Sequence, residues 1–395
     1  MTRHLLGLLR CAVLAWVAIL TVATAGAQSG FVRPGWLLVA ASDYKAQIGR
    51  LLVVDPVTGL VAATRVTGIE TDVAVTTDGQ WAFVSSNDRG PVPRSLLEAV
   101  DLSSGETTRR YTDSMPWPSH GGAYSSRLAV SRDNRQLYRY KAQNTDDGPT
   151  YFVQVFDIDG RLALRETIAL PLCGAGVLLP GPSADTLYVT CSQSQDVRLV
   201  KVGAGGKAEV ARLNLPGGAR ASEHLVTSLS ADGSELTVIK GDGRFVKTNT
   251  VLNQTKPAGA IDAAGRGVDA ISGGAGPIAT SDARDWLAGK QIWRQTPVVS
   301  RDGTLYLLLA SGADTRAVRD QVLALTQDSL HLARTIRLSA PAVSITLSAG
   351  ERDLYAVDTL GDAIHVVDLL SGTERRVITG VGPRPVFAVV VPHPN

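Results

Sequence analysis

The residues with chemistry to offer fall in a few short stretches. The segment RASEH ends in Glu223-His224, a carboxylate beside an imidazole, which suits proton transfer. The segment TDSMPWPSHGGAY, Thr112 to Tyr124, sets Trp117, His120 and Tyr124 beside Asp113 and Met115. Trp286 and Trp293 flank the end of a Gly- and Ala-rich stretch, and Arg384 precedes the last apolar run. Such a set can bind a small polar ligand. With Glu223, His224 and His120 in mutual reach it can also move a proton. Each residue also has a structural use: Trp117 between prolines suits a loop anchor, and His120 before Gly121-Gly122 suits turn chemistry. His365 and His331 fall within or near strands, where they read as packing between sheets.

Several chemistries are not spelled. HExxH, CxxC and EF-hand patterns are absent, and histidines are too few for a three-ligand zinc centre without distant partners. Glu70, Asp72 and Glu223 stand near predicted inner-strand starts, but Arg127, Gly174 and Val386 occupy that place elsewhere, a poor set for calcium. No metal is expected. GxSxG is missing, and GRGVDAISGGAG lacks the GK[ST] of a phosphate loop. A formal net charge of +2 and no long basic run give no basis for nucleic-acid binding.

These residues must be positioned by a repeated unit. Ser344 to Ile378 reads as short strands joined by turns, with Val343, Ile345 and Leu347 alternating against Ser344, Thr346 and Ser348. Its first turn recurs as Asp78-Gly79, Asp133-Asn134, Asp232-Gly233 and Asp302-Gly303. Its third strand ends recurrently as VVDPVTG, AVDLSSG, VFDIDG and VVDLLSG, placing Asp55, Asp101, Asp157 and Asp368 just before tight turns. A carboxylate there accepts backbone N–H groups and holds the turn shut. A period of about 50 residues with antiparallel strands and no helical periodicity selects a β-propeller.

Complete units begin near Asp72, Arg127, Gly174, Glu223, Ile292 and Val343. The N-terminal stretch from Gly35 to Val66 lacks a first strand, and Arg384 to Pro392 is a lone first strand. Joined, they predict a closing blade shared between the termini, and an all-β, seven-bladed propeller of four-stranded antiparallel blades. The predicted division is a signal peptide over 1–27 and one propeller domain over 28–395, with a long insertion at about 257–290. The signal rests on Arg3, His4 and Arg10, the apolar run Cys11 to Val22, and Ala25-Gly26-Ala27 as cleavage site. It implies a periplasmic or secreted protein without stable membrane insertion. Cys173 and Cys191 are then the remaining cysteines. Folding back about Gly181-Pro182-Ser183 brings them nearly opposite, within reach of a cross-strand disulfide; the alternative is two buried thiols.

The blade spelling LAVSRDNRQLY and HVVDLLSG resembles the YVTN-repeat propellers. The stretch PLCGAGVLLPGPSADTLYVTCSQSQDVRLVKV resembles the disulfide-bearing blade of the methylamine dehydrogenase heavy subunit, among the quinoprotein amine dehydrogenase-like propellers, and Trp286 through Gly382 follows the spacing of its last blades. The resemblance implies a bridged Cys173 and Cys191, a quinone on a partner subunit, and no cofactor in this chain. The arm that family uses against its partner is missing here, and no catalytic residue is carried over.

The expected function is therefore non-catalytic binding or scaffolding of a small molecule or protein through the long-loop face. Trp117, His120, Tyr124, Glu223, His224, Trp286, Trp293 and Arg384 are the candidate ligand contacts. One alternative is the heavy subunit of an amine dehydrogenase-like complex with a partner subunit. A second is a lactonase- or lyase-like propeller enzyme.

Overall fold

The computed structural model describes residues 31–88, 94–113, 127–145, 148–158, 162–174, 176–191, 194, 196–202, 209–213, 225–230, 232–240, 245–249, 291–293, 297–310, 318–326 and 332–393. The predicted signal peptide and the 257–290 insertion lie outside them.

Strands β1 (Leu37–Asp43), β2 (Ile48–Val54) and β3 (Val61–Thr67) pair with the C-terminal β28 (Pro385–Val390) in the order β28-β1-β2-β3. This is the closing blade expected from the two incomplete termini. The next blade holds β4 (Ile69–Val75), β5 (Trp81–Asp88), β6 (Arg94–Asp101) and β7 (Thr107–Asp113). It is followed by β8 (Leu128–Val130), β9 (Gln136–Thr145), β10 (Gly148–Asp157) and β11 (Ala163–Ala169). Then come β12 (Gly176–Pro180), β13 (Thr186–Cys191), β14 (Asp196–Lys201) and β15 (Glu209–Leu213). Among the described residues, a sheet of β16 (Leu225–Leu229), β17 (Glu235–Lys240) and β18 (Phe245–Asn249) has three strands.

The next blade contains β19 (Gln291–Ile292), β20 (Val298–Val299), β21 (Thr304–Ala310), β22 (Gln321–Thr326) and β23 (Leu332–Arg337). Both β19 and β20 pair with β21, so together they make one interrupted first strand. The last blade is β24 (Ser344–Leu347), β25 (Asp353–Asp358), β26 (Ala363–Asp368) and β27 (Thr373–Thr379).

The seven-bladed expectation is corrected at this point. Six sheets are complete four-stranded blades, and the β16–β18 sheet has three strands among the described residues. Apolar alternation marks first and second strands well, because they are buried. The stretch expected to hold the third and fourth strands, Arg244 to Thr255, carries little of it, and its part after Asn249 lies outside the described residues, so no ladder supports the complete blade counted there.

Burial explains the element spelling. Every residue of β13 and β25 is buried, because second strands are covered on both faces. Outer strands such as β3 and β27 instead alternate between half-buried and exposed positions, apart from the buried Ile378 in β27. Apolar clusters fill the seams between neighbouring sheets, as where Tyr138, Tyr140 and Val155 meet Leu178, Leu187 and Val189. Innermost strands touch in the order β28, β4, β8, β12, β16, β20, β24 and back to β28, closing the ring.

First-to-second and third-to-fourth turns share one face. There Thr76, Ser131 and Ser230 each donate a side-chain hydrogen bond of 2.6 Å to Asp78, Asp133 and Asp232. Asp55, Asp101 and Asp368 accept backbone N–H groups of their own turns at 2.8 Å from Val57, Ser103 and Ser371. The turn-closing role expected of those carboxylates is what they perform.

Candidate functional site

The opposite face carries the ends of β1, β5 and β9 and the starts of β4 and β28. Between β3 and β4 the chain crosses from one blade to the next through a gap with no room for side chains. A Cβ on Gly68 would lie 2.1 Å from the Asn87 carbonyl oxygen, and one on Gly49 would lie 1.8 Å from the Gly68 carbonyl oxygen. Glu70 emerges from this crossing in a β-bulge, where the β4–β5 register shifts between Ile69 and Asp72. Its φ of 56° lies in the left-handed region. Bulges re-aim side chains, and strained non-glycine residues cluster at functional sites.

The half-buried Glu70 is held from two directions. Its backbone N–H donates to Ser42 Oγ at 3.0 Å, and its Oε2 accepts from Asn87 Nδ2 at 2.7 Å. Two residues on, the buried Asp72 accepts the backbone N–H of Arg127 at 2.6 Å, linking the start of one inner strand to the next blade. Burial pushes the Arg127 guanidinium below its usual pKa; the charges of Asp72, Glu70, Tyr140 and Tyr44 oppose that shift. Glu70, Asp72, Asn87 and Arg127 thus form one mixed-charge cluster at the mouth of the channel. Arg384, exposed just before β28 with φ 53°, stands nearby through its backbone: its N–H donates to Asp362 Oδ1 at 2.7 Å and its carbonyl accepts the Ser42 N–H at 3.4 Å.

A second polar layer lies away from the channel, in the seam between the β4–β7 and β8–β11 blades. Lys141 is fully buried, donates to Ser95 Oγ at 2.6 Å and stands 3.8 Å from Asp113 Oδ2. Gln154 donates to the same carboxylate at 2.9 Å. Burial first, and then the neighbouring Arg139 charge, push the Lys141 ammonium down to about 6, against the pull of Asp113.

The residues singled out from sequence fare differently. Trp117, His120, Tyr124, Glu223, His224 and Trp286 lie outside the described residues. Trp293 is buried: its indole N–H donates to the Val343 carbonyl at 3.1 Å, and the Arg319 guanidinium stacks 4.4 Å from its ring centroid. It braces the seam between two blades. Arg384 is exposed, and its backbone carbonyl accepts the Ser42 N–H at 3.4 Å. Cys173 and Cys191 form the expected disulfide, joining the approach to β12 with the end of β13, Cα atoms 4.4 Å apart. His365 lies in a seam, with Nδ1 2.6 Å from Glu374 Oε2 and Nε2 3.6 Å from Asp358 Oδ2.

Glu70, Asp72 and Arg127 were named from sequence as inner-strand starts but not as a site. Their signal was the break in the repeat, where charge replaces the apolar alternation that opens other blades. Among the described residues, no group of three or more His, Cys, Asp or Glu side chains is placed to hold a metal. No helix among them is long and apolar enough to cross a membrane.

No protein-family model matches the chain, and no curated protein matches its sequence. Solved structures do. The periplasmic gluconolactonase PpgL of Pseudomonas aeruginosa aligns with a TM-score of 0.58 at 17% identity, over 90% of this chain and 99% of its own. A functionally unknown protein of Desulfotomaculum acetoxidans DSM 771 aligns at 0.58 and 15%, over 91% and 99%. The dihydro-heme d1 dehydrogenase NirN aligns at 0.54 and 15%, over 91% of this chain and 76% of its own. At such identities the likeness shows the propeller fold alone. The resemblance to the methylamine dehydrogenase heavy subunit is corrected accordingly. No family match supports it, and the likeness to solved structures extends to the propeller fold alone.

Proposed function

We propose that this chain is a lactonase-like propeller hydrolase that opens a small hydroxylated lactone at the channel mouth. The reading rests on one observation: the half-buried Glu70 carboxylate, fixed by Asn87, lies within electrostatic reach of the Arg127 cation. Lactone hydrolysis needs a base to deprotonate the attacking water and a positive charge where the carbonyl oxygen becomes an oxyanion. Glu70 takes the proton as the water oxygen bonds to the carbonyl carbon. Arg127 stabilises the negative oxygen of the tetrahedral intermediate. As the carbonyl re-forms, the ring C–O bond breaks and the leaving oxygen takes the proton from Glu70, giving the open hydroxy acid. Asp72 ties the backbone of Arg127 to the β4 strand and so sets the distance between base and cation. The fold likeness to a periplasmic gluconolactonase is in keeping with this reading. The Cys173–Cys191 bridge supports export to an oxidising compartment.

The test is proton release from glucono-δ-lactone, measured against the buffer rate with the full chain. Wild type should accelerate opening, and Glu70→Gln should lower kcat by about 10²–10⁴-fold, the usual worth of a general base. Arg127→Met should fall by a similar factor, about 10²–10³-fold. A wild-type rate equal to buffer sinks the hydrolase reading. Saturable lactone binding without turnover would instead identify a binding protein at the same site.

A further inference from the structure

Glu70 and Arg384 begin the inner strands of neighbouring blades, and both hold the left-handed conformation, with φ of 56° and 53°. That conformation is disfavoured for any residue with a side chain and persists only where the surroundings enforce it. One residue touches both. Ser42, 1% exposed near the end of β1, donates its backbone N–H to the Arg384 carbonyl at 3.4 Å, and its Oγ accepts the Glu70 N–H at 3.0 Å.

The surroundings allow little slack. Ser42 pairs with Gly49 on β2, and Gly49 admits the carbonyl of Gly68 only because it has no side chain. Asp362 holds the Arg384 N–H from the far side, and Asn87 holds the Glu70 carboxylate.

We propose that Ser42 is a positioning residue that fixes the Glu70 carboxylate by tying its left-handed turn to the Arg384 backbone across the boundary between blades. Its catalytic consequence rests on the lactonase reading; its conformational consequence does not. Without the Ser42 hydroxyl, the Glu70 N–H loses its acceptor, the left-handed turn relaxes, and the carboxylate leaves the place where Asn87 and Arg127 meet it. Ser42 itself touches no reacting atom.

Two measurements on the full chain test this. In lactone turnover, Ser42→Ala should lower kcat by about 10- to 100-fold, the effect of a misplaced group, with KM changed by less than about twofold. It should also move the limb of the pH–rate profile that reports Glu70. Ser42→Thr, which keeps the hydroxyl, should recover most of the rate. In thermal unfolding, Ser42→Ala should lower Tm by roughly 2–4 °C in the wild-type background and by clearly less in Glu70→Gly, because glycine holds the left-handed conformation unaided.

Equal Tm losses in the two backgrounds, or wild-type kinetics for Ser42→Ala, overturn the proposal. If wild type opens no lactone, the hydrolase reading fails and the unequal Tm losses alone carry the role of Ser42. Should Ser42→Ala not fold, Ser42→Val against Ser42→Thr makes the same comparison, since the two match in size and differ in the hydroxyl.

Discussion

The two faces of the ring use the same side chains to opposite ends. On the face of the short turns, aspartates are satisfied by residues two or three positions away: Asp232 by Ser230 and Ser234, Asp101 by Ser103 and Ser104, Asp368 by Ser371. These local hydrogen bonds lower the carboxyl pKa values of Asp101, Asp302 and Asp368, and bring exposed Asp232 to about 2. In the Glu70 cluster on the opposite face the partners are distant. Asn87 reaches Glu70 across 17 positions, Ser42 reaches Glu70 across 28, and Arg127 reaches Asp72 across 55. A local pair forms whenever its own turn forms. A distant pair exists only if two blades are correctly docked, and there charge is kept partly desolvated. Desolvated charge is what a reaction can use.

This contrast can be broken experimentally. The largest effect should come from the docked face: Glu70→Gln should cost lactone turnover about 10²–10⁴-fold while leaving Tm near wild type, because the amide keeps the size of the carboxylate. Asp232→Ala on the turn face should leave turnover unchanged. Comparable losses from both would erase the distinction between the faces.

The disulfide is next. Cys173→Ser with Cys191→Ser should destabilise the chain by about 2–4 kcal/mol in denaturant titration, and reduction of wild type should mimic it. The bridge lies in the seam that also buries Tyr140 and Leu178, so the loss should exceed that of any single turn aspartate.

Lys141 gives a smaller and pH-dependent effect. Its pKa in the folded chain, about 6, lies below the ordinary 10.5, so between these values the unfolded chain binds the proton more tightly. Wild-type stability should therefore rise with pH through that window relative to Lys141→Met, and the difference should flatten below about pH 6. Urea midpoints at several pH values would show it, and a pH-independent difference would place the ammonium in contact with water. Smallest is Asp232→Ala. The carboxylate stabilises above its ordinary 3.8, and that contribution is lost as pH falls through about 2, so the variant should differ from wild type only slightly at neutral pH and not at all below about pH 2.

Much of the architecture was legible in the chain. Apolar alternation before each Asp-Gly turn marked the inner strands, and the incomplete termini predicted the β28–β1 pairing. The bridge between Cys173 and Cys191 followed from a strand reversal. The number of complete blades was not legible, because near Arg244 to Thr255 alternation is weak and only a hydrogen-bonded ladder defines a strand. Trp293 looked like a ligand contact, since an aromatic beside a long insertion has the same spelling whether it faces a ligand or stacks on Arg319. Arg384 was read as a ligand contact, while Ser42, whose backbone N–H its carbonyl accepts, drew no notice.

By itself, then, the sequence determined what depends on neighbours along the chain: strand period, turn closure, and the aspartates that lock each turn. Hydrophobic patterning and local hydrogen bonds act within a few residues, so they can be read there. Tertiary structure decided which charges would meet. Glu70, Asp72, Arg127 and Arg384 come together only because blades pack side by side through seams that glycines at 49 and 68 keep close. The burial of Asp72 and the partial burial of Glu70 and Arg127, and hence the strength of their electrostatics, are properties of that docking and of no single stretch of chain.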